Sequence, residues 1–160
     1  MMTAVAVVAG CAGQRLDGGN VFHSAKGYRV TVPASGWTIV SEGRDDLELR
    51  DATGRVGILV HADCDARRAR RPLVFLERRL LIGLTDRTMI EQNEVTVSGW
   101  PASHVVLEAD NGRAGSRMKI ETFVLSDGRC VYDLVYAAAP ADFAAHRDDF
   151  AAFVQSFATE

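Results

Sequence analysis

Hydrophobic and polar residues alternate along most of this chain, and the alternation gives way to helical spacing in two places. The densest apolar run, Cys130-Val131-Tyr132-Asp133-Leu134-Val135-Tyr136-Ala137-Ala138, is interrupted only by Asp133. Both faces of such a strand must be covered, which places it in the middle of a sheet. Pro140 then suits a first helical turn, where its missing N–H costs nothing, and Asp142 puts negative charge near a helix N-terminus. Phe143, Phe150 and Phe157 recur every seven residues, with Phe153 and Val154 between them. This stripe predicts a terminal helix lying on the sheet, with His146 at its margin.

Upstream, residues 21–23 predict a short edge strand, and residues 27–33 alternate with Tyr28, Val30 and Val32 on one face. Residues 37–40 continue as a strand with Trp37 and Ile39 facing inward. Residues 47–50 and 55–62 read as a hairpin across Asp51-Ala52-Thr53-Gly54. After a loop at 63–71 comes the first helix, with Pro72 in its first turn and Leu73, Leu76, Leu80 and Leu84 on one face. Residues 87–92 fit a loop and a strand equally well. Strands follow at 94–97, 100–108 and 116–125, with Asp110-Asn111-Gly112 as a hairpin turn. The predicted fold class is α+β: an antiparallel sheet of about six or seven strands, with one helix inserted midway and one at the end.

A chain of 160 residues is one domain's worth. Residues 21–160 are assigned to it. Apolar residues at 48% and charged ones at 24% exclude a disordered chain or a polytopic membrane protein. A net charge of -3 argues against nucleic acid as a partner held by overall electrostatics.

Residues 1–11 form a short apolar stretch ending in Val8-Ala9-Gly10-Cys11. This resembles a bacterial lipobox, the tail of a signal peptide in which small residues precede a cysteine that becomes lipidated. The stretch is shorter than a secretory signal and lacks a leading positive charge, as if the chain began partway through its signal. Reading it as the first strand of a nucleotide-binding unit fails, because residues 14–20 are polar and Gly-rich and a strand follows where a helix is needed. Cys11 is then the lipid-attachment residue and 12–20 a tether of at most about 30 Å.

Two cysteines remain, Cys64 just past one strand and Cys130 opening another. In an oxidising compartment they can pair if those strand ends are neighbours; otherwise they are unrelated thiols. His61-Ala62-Asp63-Cys64-Asp65 gathers potential metal ligands, which His23 or His104 could complete. No second ligand pair with recognisable spacing follows. His61, Asp63 and Asp65 are therefore weak candidates, and no metal or cofactor is expected. Six arginines crowd together at Arg67, Arg68, Arg70, Arg71, Arg78 and Arg79. They form either a basic patch for anionic headgroups or an acidic partner, or a solvated loop and outer helix face. No nucleophile elbow, His-Glu-x-x-His or phosphate-binding loop is present, and nothing favours a cysteine nucleophile assisted by His61 or His104.

Four stretches then resemble the PsbP/Mog1-like superfamily. They are residues 22–33 with Gly36-Trp37, Val97-Ser98-Gly99-Trp100-Pro101-Ala102, Val131-Tyr132-Asp133-Leu134-Val135-Tyr136, and residues 150–157. The likeness spans residues 22–157 and rests on turn and core positions. It implies an antiparallel sheet sandwiched by helices and a role in binding or assembly. Such proteins include photosystem II extrinsic subunits, a Ran-binding nuclear import factor, bacterial lipoproteins and chaperones of transmembrane segments. The expectation is a lipid-anchored, extracytoplasmic, non-catalytic module of the bacterial cell envelope, acting on a protein or envelope partner. The competing expectation is a small-molecule or metal carrier using a cleft between sheet and helix.

Overall fold

The apolar run near the C-terminus becomes β10 (Val131–Ala138), and it is the fourth of seven strands in the large sheet. The structure, a computed structural model, describes residues 14–40, 46–112 and 116–160. On one side β10 pairs with β6 (Gly57–Asp63), which leads outward to β5 (Leu47–Asp51) and the edge strand β4 (Trp37–Ile39). On the other it pairs with β9 (Arg117–Ser126), followed by β8 (Trp100–Asp110) and β7 (Thr85–Val97) at the second edge. All six pairings are antiparallel. The α+β class and the seven antiparallel strands of this sheet match what periodicity predicted, whereas a second sheet was not expected.

Alternation along β10 divides the core in two. Tyr132, Leu134 and Tyr136 point to one face, where they join a cluster with Phe143, Phe150, Phe153 and Phe157. Val131 and Val135 point to the other. The first face is covered by the helix α3 (Arg147–Ser156) and by a second sheet of four strands. In that sheet β1 (Arg15–Leu16), β2 (Val21–Ser24), β3 (Tyr28–Thr31) and β11 (Ala158–Thr159) are neighbours in that order. Tyr28 and Val30 are fully buried, and the Tyr28 ring meets Tyr132 edge-on at 5.8 Å. The opposite face is covered by the short helix α1 (Ala66–Ala69) and by α2 (Leu73–Leu80), whose Leu76 is buried.

Several expectations change in detail. Alternation at 27–33 correctly marks a half-buried strand, but that strand belongs to the separate small sheet. Within the segment 12–20, expected as a tether, Arg15–Leu16 pair with β2. The Asp17 carboxylate accepts the Gly19 and Val21 N–H groups beside them. The loop at 63–71 contains α1, capped by Asp65, whose carboxylate accepts the Arg67 N–H at 2.9 Å. The terminal helix is split into a 3-10 turn, Phe143–His146, followed by α3. Ile39, expected inward, is exposed because β4 is a three-residue edge strand. Trp37 is half-buried, and its indole N–H donates to Asp149 at 3.0 Å.

The ambiguous residues 87–92 are strand. They fall within β7, thirteen residues long and exposed along nearly its whole length. Its residues 85–94 are exposed on both faces, so that part of the edge strand shows no apolar alternation to read. Ser98 and Gly99, at φ 53° and 80°, make the two-residue turn into β8. Left-handed backbone at both central positions is what matches the twist of a tight hairpin.

Candidate functional site

A cleft of about 540 Å³ opens between α3 and the strands β7, β8 and β9. Strand parity builds it. Odd-numbered residues from Glu91 to Val97 in β7 stand on the same face as His104 of β8 and Phe123 of β9, because Asn93 pairs opposite His104 and His104 opposite Phe123. Val95, Val97 and Phe123 make one apolar wall, and Ala151 and Val154 of α3 make the other. Glu91, Asn93, His104 and Gln155 bring polar groups to the same space. Apolar walls with a few converging polar groups are the usual composition of a ligand cleft.

Below the cleft lies a buried charged network. His104 is 7% exposed, with its ring stacked on Phe123 at 4.4 Å. Its Nδ1 sits 2.9 Å from the Asn93 side-chain oxygen and its Nε2 sits 2.8 Å from Glu121 Oε1. Arg147, the first residue of α3, donates to both carboxylate oxygens of Glu121, at 2.9 and 3.1 Å. Burying a carboxylate is costly unless its charge is paired and its lone pairs are occupied. Here the fork of Arg147 does both and ties α3 to the sheet.

Burial pushes the Glu121 carboxyl upward, but the hydrogen bonds from His104 and Arg147 outweigh it and hold it below the usual carboxylate range. Asp127 behaves alike: burial raises it, while the Cys130 and Arg129 N–H groups and the Arg129 side chain bring it lower. A carboxyl depressed in the folded state contributes stability that is full above its unfolded value, roughly 4, and is lost as pH falls through the folded value. The melting temperature is therefore expected to drop steeply below about pH 4. Glu121→Gln should melt lower at pH 7 and converge on the wild type in acid. Parallel melting curves from neutral pH to acid would exclude this account.

On the opposite face, the buried Glu77 of α2 accepts hydrogen bonds from the Ser103 hydroxyl and, at 3.1 Å, from the Gln92 amide. It anchors the helix to β7 and β8. Asp63 accepts from Arg68 and from Arg79 at 3.0 Å, and Arg79 also lies 3.6 Å from the buried Asp133. Asp133, the one polar residue in the central run, thus faces α2 and an arginine.

Cys64 and Cys130 are bonded to each other, joining the residue before the cap of α1 to the start of β10. The weak metal candidates are otherwise engaged: Asp63 with arginines, Asp65 as the α1 cap and as a partner of Arg68 at 3.5 Å. His61 lies on β6 away from the cleft, on the face opposite Ala62 and Val60. Among the described residues no cluster of three or more His, Cys, Asp or Glu is placed to hold a metal ion. The six arginines divide. Arg68 and Arg79 are drawn into ion pairs, whereas Arg67, Arg70, Arg71 and Arg78 are exposed. Cys11 and the rest of the lipobox lie outside the described residues. No helix among the described residues is long and apolar enough to cross a membrane.

The network of His104, Glu121 and Arg147 was not foreseen as a unit. Its one signal in the sequence is Glu121, a carboxylate on the same strand parity as Phe123 and Leu125.

No family model matches the chain, and no curated protein is similar to it in sequence. Solved structures are similar in fold. LpqN of Mycobacterium tuberculosis, involved in cell envelope biogenesis, superimposes with a TM-score of 0.63 at 14% identity, over 86% of this chain and 87% of that one. The cyanobacterial PsbP of Synechocystis gives 0.56 at 13% identity over 98% of both chains. A protein of Bacteroides thetaiotaomicron gives 0.55 at 8% identity over 83% of this chain, which spans 45% of that longer protein. The fold is shared with the cyanobacterial PsbP and with LpqN, an antiparallel sheet flanked by helices as the resemblance implied.

Proposed function

We propose that this protein is a non-catalytic binding module of the bacterial cell envelope, working outside the cytoplasm, and that its partner docks in the cleft between α3 and β7. The carrying observation is that cleft, walled on one side by a thirteen-residue edge strand whose outer backbone edge has no neighbouring strand among the described residues. An extended segment of a protein partner can add to such an edge while its side chains enter the cleft. Trp100, exposed on the same hairpin, stands on the face of β8 that carries His104.

Catalysis is disfavoured by where the reactive groups are spent. Both ring nitrogens of His104 are engaged by Asn93 and Glu121, and both Cys64 and Cys130 are in a disulfide. The disulfide also supports export, since such bonds persist mainly in oxidising compartments. The envelope role of LpqN supports the location by analogy of fold, and the Val8-Ala9-Gly10-Cys11 motif supports anchoring through lipid on Cys11. A carrier of a small molecule is the second reading, favoured by Glu91, Asn93 and Gln155 converging on one apolar cleft.

A photo-cross-linking residue placed at Val95 or Gln155 in cells is expected to trap a protein-sized adduct. Ala151→Trp, which fills the cleft from α3, should abolish it. A rise in melting temperature with an envelope metabolite, also abolished by Ala151→Trp but without a protein adduct, would favour the carrier. Adducts and melting unaffected by Ala151→Trp would remove the cleft from the function. Mass analysis of native protein should find lipid on Cys11; an unmodified Met1 on protein encoded from a verified start would overturn the anchor.

A further inference from the structure

The outer face of α2 exposes adjacent apolar side chains beside arginines. Successive residues step about 100° around a helix, so Leu73, Leu76 and Glu77 fall on the sheet side while Val74, Phe75 and Arg78 fall opposite them. Val74 and Phe75 are 50% and 53% exposed, and Ile82, just beyond the helix, is 78% exposed. The Arg71 guanidinium lies over the Phe75 ring at 5.4 Å. The only acid in α2, Glu77, is buried against Ser103 and Gln92, and the nearby Asp63 and Asp65 are held by Arg68 and Arg79. What faces solvent is therefore apolar and cationic, on a chain whose net charge is -3.

We propose that this face, Val74 and Phe75 with Arg71 and Arg78, docks flat onto an anionic phospholipid bilayer, with the exposed Arg67 and Arg70 just ahead of it in the chain adding positive charge. Val74, Phe75 and Arg78 stand on the side of the helix turned away from the sheet, so they suit insertion among headgroups better than capture of a peptide. Exposed apolar side chains flanked by arginines are the composition of an interfacial helix, with the aromatic ring at the acyl boundary and the guanidinium groups level with the phosphates. The Cys64–Cys130 bond ties the chain just ahead of α1 to the central strand, which holds the arginines on a rigid support. The proposal is independent of the cleft on the other face and of any lipid on Cys11.

Co-sedimentation of the full, unlipidated chain tests it with two kinds of vesicle, phosphatidylglycerol mixed into phosphatidylcholine and phosphatidylcholine alone. Binding is expected only to the anionic vesicles and should weaken as salt is added. At roughly fivefold per surface arginine, the combined Arg70→Gln, Arg71→Gln and Arg78→Gln variant should bind about a hundredfold less tightly. Any attachment through the apolar N-terminus is common to both kinds of vesicle and to wild type and variant, so the quantity compared is the excess binding to anionic over neutral vesicles. A Phe75→Trp variant should gain blue-shifted emission on anionic vesicles, relative to the same variant in buffer. Equal binding to neutral vesicles, unchanged affinity of the triple variant, or unchanged emission of Phe75→Trp would each overturn the proposal.

Discussion

Reduction of the Cys64–Cys130 bond, or its removal by Cys64→Ser with Cys130→Ser, is expected to lower stability by about 4 kcal/mol. The bond closes a loop across a sequence separation of 66 residues, and that closure is what it removes from the freedom of the unfolded chain. In a domain of this size the loss corresponds to a fall in melting temperature of roughly 10 °C. The measurement is calorimetry with and without reductant at fixed pH, checked against the double serine variant in the absence of reductant. A change of less than about 3 °C in both would mean that the unfolded chain is already constrained there, or that the native state relaxes without the bond.

Phe150→Ala should cost a similar amount, about 3–5 kcal/mol. Phe150 is 1% exposed and sits among Tyr136 at 5.4 Å, Phe123 at 5.9 Å and Phe153 at 6.4 Å between ring centroids. Truncation leaves a void in the middle of the aromatic layer between α3 and β10, which packed neighbours on rigid strands fill only in part. Phe75→Ala is the control, since its half-exposed ring should matter by no more than about 0.5 kcal/mol. Denaturant unfolding of the two variants side by side checks both. If they unfold at the same midpoint, α3 does not close the core as described. Because Phe123 both touches Phe150 and lines the cleft, Phe150→Ala is also expected to weaken any ligand of the cleft, at temperatures where the variant is still folded.

These two predictions draw on parts of the molecule that differ in how far they could be read from the sequence. The run from Cys130 to Ala138 placed its strand at the centre because only a doubly covered strand can afford apolar residues at both parities. The spacing of Phe143, Phe150 and Phe157 placed all three in the core, and they are buried. It did not reveal that the first lies in a 3-10 turn and the last beyond the end of α3, because both geometries can point a ring at the same sheet. The disulfide stood open between pairing and two separate thiols, since only the approach of the two strand ends decides it.

The candidate site was less legible. His104, Glu121 and Arg147 are far apart in sequence and meet only through the register of β8 against β9 and the seating of α3. The six arginines were visible as a cluster, but which of them are spent on Asp63, Asp65 and Asp133 depends on how α1 and α2 lie over β6 and β10.

While it left α1, β1 and the strand at 87–92 unread, the sequence by itself determined the central strands, the helical stretch beginning at Leu73 and the burial of the three phenylalanines. Those follow from residue-by-residue sterics and from the period of the apolar pattern. Only the tertiary structure decided that Tyr28 and Val30 belong to a second, smaller sheet, that β7 is the edge of the large sheet among the described residues, and that a charged network around the buried Glu121 lies beneath a cleft. Periodicity tells a face that it must be covered without saying by what, and the partner of a strand or a charge is set by contacts between residues distant along the chain.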